Sequence, residues 1–177
     1  TFFTLGWVAE RYPQLVRRIV DAGHELASHG HAHLRASEQT RAEFLADITR
    51  ARNVLQDISG VKVMGYRAPS FSIGRGNLWA FDCLSEAGYR YSSSIYPVRH
   101  DHYGMPDAPR FPFTTTAGIV EVPISTMRAC WASLPLAVWA MSVESRVDAS
   151  RRRAHRALAS SAVRPICSFL STMTCSF

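Results

Sequence analysis

At 177 residues, 47% of them hydrophobic and 19% charged, the chain has the size and balance of one globular domain with a sizeable core. No run of about 18 apolar residues occurs, which excludes a membrane-spanning helix. The net charge of +6 is uneven: residues 1–127 carry 13 basic against 12 acidic side chains, and residues 128–177 carry 7 against 2, so the near-neutral body offers no nucleic-acid groove.

Short apolar segments alternate with amphipathic ones through the first 123 residues. Residues 1–6 read as a buried aromatic strand bounded by Gly6. A helix is predicted over about 10–22, with Leu15, Val16, Ile19 and Val20 on its apolar face and Gly23 as its stop. Residues 24–28 form a second strand. Ser37-Glu38-Gln39-Thr40 resembles a helix start, and Phe44, Ile48, Ala51 and Leu55 recur at three-to-four spacing up to about Ile58, with Gly60 closing the helix. A third strand is predicted over 61–67. A helix over 77–87 follows with Leu78, Phe81 and Leu84 inward, then a fourth strand over 89–93. A loop rich in Pro, His and Asp runs from 96 to 113, and a further strand from 119 to 123. Strand and helix alternating at this spacing predict parallel βαβ units, an α/β fold whose chemistry sits at the C-terminal ends of the strands.

His29-Gly30-His31-Ala32-His33 lies at one of those ends. Neutral imidazole is the commonest protein ligand for zinc-like ions. In an extended strand all three rings would share a face; in a helical turn His29 and His33 would share one and His31 would point away. Gly30 permits a sharp turn directly after the strand, so the second geometry is favoured, with His29 and His33 as ligands of a divalent metal, zinc first among the candidates. The plain alternative is a solvated loop that is rich in histidine.

After Arg128 there is no Gly, Lys, Asn, Gln or Tyr, and Ser, Arg and Ala dominate. Residues 128–177 are therefore set apart from a domain at 1–127, as a linker, a disordered tail or the product of a reading-frame error, the last favoured by stray Trp and Cys that a solvated linker seldom carries. The cluster Arg151-Arg152-Arg153 with Arg156 reads as a solvated face. Cys83 sits within an apolar helical pattern and reads as a small buried hydrophobe. Cys130, Cys167 and Cys175 lie in the tail without a CxxC spacing, so no disulfide framework follows.

The order Thr1-Phe2-Phe3, Gly6, Tyr12-Pro13, Ala22-Gly23-His24-Glu25-Leu26-Ala27-Ser28-His29 and His33, then Gly65-Tyr66-Arg67-Ala68-Pro69-Ser70-Phe71-Ser72, resembles polysaccharide deacetylases with a nodulation-protein-B homology domain. Gly88-Tyr89-Arg90-Tyr91-Ser92-Ser93-Ser94-Ile95-Tyr96-Pro97 continues the match. With His100-Asp101-His102-Tyr103-Gly104 and Pro109-Arg110-Phe111-Pro112, it is similar to the subgroup encoded with bacterial exopolysaccharide and exosortase clusters. The resemblance covers residues 1 to about 127. It implies a partial irregular (β/α) barrel and hydrolysis of N-acetyl groups on a polysaccharide or oligosaccharide by one divalent metal. It implies a bacterial source and leaves cytoplasm and envelope both open.

Carried over by position, the resemblance makes His29 and His33 the metal histidines and Arg67 the arginine that orients the base carboxylate. Pro69 fixes the turn, and the backbone N–H of Ser70 faces the developing oxyanion. Tyr91 to Ser94 match the groove-lining motif, with Ser92 where many relatives carry Asp, and Tyr96 follows them against the substrate. Gly30 replaces the usual Ser or Thr of the histidine motif. The family's Asp-Asp pair would precede residue 1, and Asp21, Asp47 and Asp57 fall on or beside predicted helices and do not replace it. The family's C-terminal acid His has no match after 127; His155 reads as a helix-surface residue. The resemblance thus implies an N-terminally truncated piece with two of three metal ligands and neither proton carrier, hence little or no turnover. Three other readings compete. One is a non-catalytic carbohydrate- or metal-binding module stacking sugars on Tyr96, Tyr103, Phe111 and Phe113. Another is a cyclic-amide hydrolase of the allantoinase kind on the same fold. The last is an amidohydrolase with a metal HxH strand, which lacks a well-placed later Lys or His.

Overall fold

The computed structural model describes residues 1–100, 103–129 and 132–135. The sequence expectations for residues 136–177, including the basic cluster and His155, lie outside the described residues. A six-stranded sheet is built from β1 (Phe2–Thr4), β2 (Leu26–Ser28), β3 (Gly65–Tyr66), β4 (Tyr91–Ser92), β5 (Phe113–Thr114) and β6 (Val120–Glu121), in the spatial order β1-β2-β3-β4-β6-β5. Every pairing is parallel except β5 with β6. The helices are α1 (Gly6–Arg11), α2 (Pro13–Asp21), α3 (Arg41–Ser59) and α4 (Ala80–Glu86). A separate antiparallel pair, β7 (Thr126–Ala129) with β8 (Ala132–Pro135), follows. This is the α/β fold that the alternating pattern predicts, with the barrel present only in part.

Register places the site. Ser28 pairs with Tyr66, Tyr66 with Ser92, and Ser92 with Glu121, so these four residues form one row across the sheet. One step beyond it, where the strands end, stand His29, Arg67 and Ser93. The Arg67 N–H donates to the Ser28 carbonyl at 2.9 Å and the Ser93 N–H to the Tyr66 carbonyl at 2.9 Å. Parallel strands thus deliver three separate sequence motifs to one rim.

Helix α3 anchors the core. Thr40 caps it with a reciprocal box: its hydroxyl accepts from the Glu43 N–H, and the Glu43 carboxylate accepts from the Thr40 N–H at 2.8 Å. Gly60, at φ +71°, ends it in the left-handed region. Phe44, Ile48, Ala51 and Leu55 are fully buried along one face, as their spacing predicts; each large side chain contributes roughly 1.5–3 kcal/mol by leaving water. Phe44 meets Tyr66 and Trp79 edge-on at 5.9 and 5.7 Å. Cys83 is buried among them, and burial pushes its thiol up.

Four expectations require correction. The predicted helix over 10–22 is two helices. Tyr12, at φ −132° and ψ 60°, breaks the chain between them, because the residue before Pro13 is kept out of the helical region while Pro13 suits the first helical position. Leu15 is then 43% exposed rather than inward, leaving Val16 as the buried contact of α2. Leu78 is 46% exposed: α4 starts only at Ala80, so Leu78 falls outside its periodicity and Ala80 and Cys83 take the core face with Phe81 and Leu84. The predicted loop over 96–113 gives way at its end to β5, whose antiparallel pairing with β6 closes through the tight turn that Gly118, at φ +77°, permits.

Candidate active site

The loop after β2 is held from both sides. His29 donates its backbone N–H to the Thr4 carbonyl at 2.9 Å. Gly30, at φ +79°, and His33, at φ +60°, both adopt the left-handed conformation, which folds the segment back without a helical turn. Asp47, on α3, accepts from the His31 N–H at 2.9 Å and from the Ala32 N–H at 3.2 Å. A Cβ at position 30 would lie 2.9 Å from Asp47 Oδ2, so glycine at that position makes room for the carboxylate. The rings of His29 and His33 end with their centroids 5.1 Å apart, inclined at 65°. His31 turns the other way: it is buried, with Nε2 3.3 Å from Glu10 Oε2.

His29 Nδ1 lies 2.8 Å from the Arg67 carbonyl. A carbonyl only accepts, so Nδ1 carries the proton and Nε2 is left with its lone pair, the arrangement found behind metal-bound histidines. Burial holds this imidazole below its usual pKa, against the effect of the Arg67 carbonyl, and so favours the neutral, ligating form. Two neighbouring imidazoles, one of them with its Nε2 lone pair free, are a donor set that suits a zinc-like ion. Among the described residues no group of three or more His, Cys, Asp or Glu side chains converges.

Arg67 lies across the end of β3. Its Nε donates to the Ser93 carbonyl at 3.0 Å and its Nη2 to the Ser93 hydroxyl at 2.8 Å, while the guanidinium sits 4.1 Å from the Phe3 ring centroid. Burial pushes its pKa down and the field of Glu121 pushes it up. Pro69 is buried and opens a 3₁₀ turn, Pro69–Phe71, in which Ser70 (φ 53°, ψ 27°) and Phe71 (φ 49°) are left-handed. The Ser72 hydroxyl ties that turn down, donating to the Pro69 carbonyl at 2.7 Å and accepting from the Ala36 N–H at 2.9 Å. The Ser70 N–H enters no backbone hydrogen bond among the described residues.

Three of the sequence-derived candidates stand apart from this group. Tyr91 crosses the sheet over Gly65 and donates its hydroxyl to Glu25 Oε1 at 2.7 Å. Glu25 precedes β2, so the phenol is at the opposite end of the strands from His29. Ser92 is fully buried and donates to the Ser94 hydroxyl at 2.7 Å; its side chain points into the fold and meets no groove. Tyr96 is only 6% exposed and packs on Phe71 at 5.3 Å and Tyr103 at 5.6 Å, as part of the wall beyond the Pro69 turn.

Glu121 and Asp47 escaped the sequence reading. Glu121 Oε1 accepts from the Ser94 and Ile95 N–H groups, each at 2.8 Å. Burial pushes this carboxyl above its usual range, against the hydrogen bonds from the Ile95 and Ser94 N–H groups and the charge of Arg67. A glutamate inside an Ile-Val-Glu-Val strand was the available signal, since a charged residue that shares a strand face with the core needs partners.

The chain has relatives among known proteins. The family described as Polysaccharide deacetylase matches residues 1–92, and a second family, described as a domain of unknown function, matches residues 93–138. A peptidoglycan-N-acetylglucosamine deacetylase of Bacillus cereus is 31% identical over 81 residues, 45% of this chain and 30% of that protein. A peptidoglycan deacetylase of Helicobacter pylori is 27% identical over 100 residues, 54% of this chain and 31% of that protein. The chain therefore spans about a third of the curated relatives it matches. A solved Mycobacterium smegmatis structure assigned to the polysaccharide deacetylases is 30% identical with a TM-score of 0.58, over 70% of this chain and 40% of that one. The Puue allantoinase structure, 20% identical with a TM-score of 0.52 over 71% of this chain and 38% of that one, shares the fold.

Proposed function

The chain belongs to the polysaccharide deacetylase family, and from that premise we propose that it forms part of a metal-dependent amide hydrolase that removes N-acetyl groups from the sugars of a bacterial polysaccharide. The observation that carries this reading is the His29–Arg67 contact at 2.8 Å beside a second imidazole 5.1 Å away: it leaves His29 Nε2 and the His33 ring as a ready pair of nitrogen donors. A divalent ion held there, zinc in the first instance, would supply Lewis-acid polarisation of an amide carbonyl and a water.

The chain's own residues do the rest of the positioning. Arg67 presents positive charge at the rim and is kept from swinging by its two bonds to Ser93. The Pro69–Phe71 turn leaves the Ser70 N–H without a backbone acceptor among the described residues, a donor suited to negative charge developing on the carbonyl oxygen. The half-buried rings of Phe71 and Tyr103, backed by buried Tyr96, form a wall suited to the apolar face of a sugar. Among the described residues the site offers two imidazoles and no third His, Cys, Asp or Glu ligand, a set that holds an ion more weakly than a three-ligand site. The exopolysaccharide setting, inferred from residues 100–112, is part of the same proposal.

Titration of zinc into the chain tests the reading. Binding that is lost in both His29→Ala and His33→Ala supports it; binding untouched by either variant removes the metal centre. Acetate released from an N-acetylglucosamine oligomer by the full gene product, and abolished by His29→Ala, supports hydrolysis. Oligomer binding without acetate release would favour the carbohydrate-binding module, for which the Phe71–Tyr96–Tyr103 wall is the supporting observation.

A further inference from the structure

Glu121 is the one fully buried acidic residue among the described residues. Its Oε1 takes two backbone N–H groups, from Ser94 and Ile95, while Oε2 is buried and accepts no hydrogen bond of normal geometry. A carboxylate in such a place is costly unless something compensates it. The Ile95 and Ser94 amides compensate it first, and the Arg67 charge adds a smaller share without forming an ion pair at contact distance. Between Glu121 and Arg67 lies the segment Ser93-Ser94-Ile95. On one side Glu121 grips the Ser94 and Ile95 amides; on the other Arg67 grips the Ser93 carbonyl and hydroxyl. The Ala68 N–H donates to the Ser94 hydroxyl at 2.9 Å, and the Arg67 carbonyl in turn receives the His29 ring N–H.

We propose that Glu121 is a positioning residue: its carboxylate clamps the Ser93–Ile95 segment against Arg67 and Ala68, and through them sets the guanidinium and the tautomer of His29. A direct salt bridge to Arg67 would occupy the guanidinium edge. A counter-charge held one segment away steadies the same cation and leaves Nη1 without a hydrogen-bond partner among the described residues, available at the rim. A charged acceptor also holds two amides more firmly than a neutral one. The proposal rests on reading His29 and Arg67 as the site, but its readouts need no metal.

The test uses the 177-residue chain with ¹⁵N labelling. Hydrogen exchange of the Arg67 Nε–H and the tautomer of His29, read from long-range proton–nitrogen correlations, are compared in wild type, Glu121→Gln and Ser94→Ala. Glu121→Gln keeps the side-chain shape and removes the charge; Ser94→Ala cuts the link to Ala68 and leaves the carboxylate in place. The expected result is Arg67 Nε–H exchange about tenfold faster in Glu121→Gln, the scale of one weakened charge-assisted bond. His29 would lose its Nδ1–H tautomer preference, with the same direction and a smaller size in Ser94→Ala. If Glu121→Gln does not fold, Ser94→Ala decides alone. Folded variants in which neither signal moves, with thermal stability alone reduced, overturn the proposal and leave Glu121 a structural staple. Failure of wild-type zinc binding with both signals responding would instead overturn the proposed function and spare this inference.

Discussion

Asp47→Ala tests how the imidazole pair is assembled. The substitution removes both bonds that hold the loop, at 2.9 Å to the His31 N–H and 3.2 Å to the Ala32 N–H. Bonds to a charged acceptor contribute about 1.5–3 kcal/mol each. Ala32 is exposed and its amide returns to water, so its share falls below that range; the backbone of buried His31 is left without its acceptor. The expected loss is roughly 2–4 kcal/mol, enough to lower Tm by on the order of 5–10 °C in a chain of this size. The left-handed conformation of His33 costs on the order of 1–3 kcal/mol and persists only where its surroundings enforce it, so the freed loop relaxes and the rings separate. Zinc affinity should then fall about tenfold or more, because binding must first rebuild the pair. Thermal unfolding with and without zinc measures both quantities. An Asp47→Ala chain with wild-type Tm and wild-type zinc affinity would refute the argument and assign the loop's conformation to other contacts.

Phe44→Ala empties a fully buried site between Tyr66 and Trp79 and should cost about 3–5 kcal/mol, read by urea denaturation. Gly65→Ala drives a methyl group into the Tyr91 ring and should cost about 1–3 kcal/mol; combining it with Tyr91→Ala should recover part of that loss in a double-mutant cycle, whereas strict additivity would rule out the clash. In chelator, stability should fall as pH drops below about 6.5. His29 has its pKa lowered in the folded chain, so the unfolded state takes up the proton first, and the loss accumulates from the unfolded pKa down to the folded one. His29→Gln should flatten that slope in denaturation curves collected between about pH 5 and 8.

The sequence made the frame legible where local chemistry and burial agree. The Phe44, Ile48, Ala51, Leu55 stripe and the Gly60 stop give α3 nearly to the residue, because capping and periodicity act within a few residues. The alternation of elements gives a parallel sheet, and the sheet puts motifs at strand ends. What the pattern could not supply is direction. Tyr91 and Ser92 sit in a motif that reads as groove-lining, yet one crosses the sheet to Glu25 and the other faces inward, because their orientation depends on partners 66 residues away and two residues away respectively. Asp47 reads only as an acid on a predicted helix, and only the fold brings the 29–33 loop to it. Glu121 shows the same limit: its partners Ser94 and Ile95 lie in the segment that follows the neighbouring strand β4, and no spacing rule connects them.

Tyr91 also ties two strands together across a third. Its ring passes over Gly65, which has no side chain to obstruct it, and its hydroxyl is fastened to Glu25, so the N-terminal ends of β2 and β4 are strapped at a fixed separation. Neighbouring strands in a twisted sheet pivot about one another, and fixing the gap at one end fixes the splay at the other. A strap at one end of the strands therefore also restrains how far His29 and Ser93 can part at the other, and it depends on a single residue having no side chain.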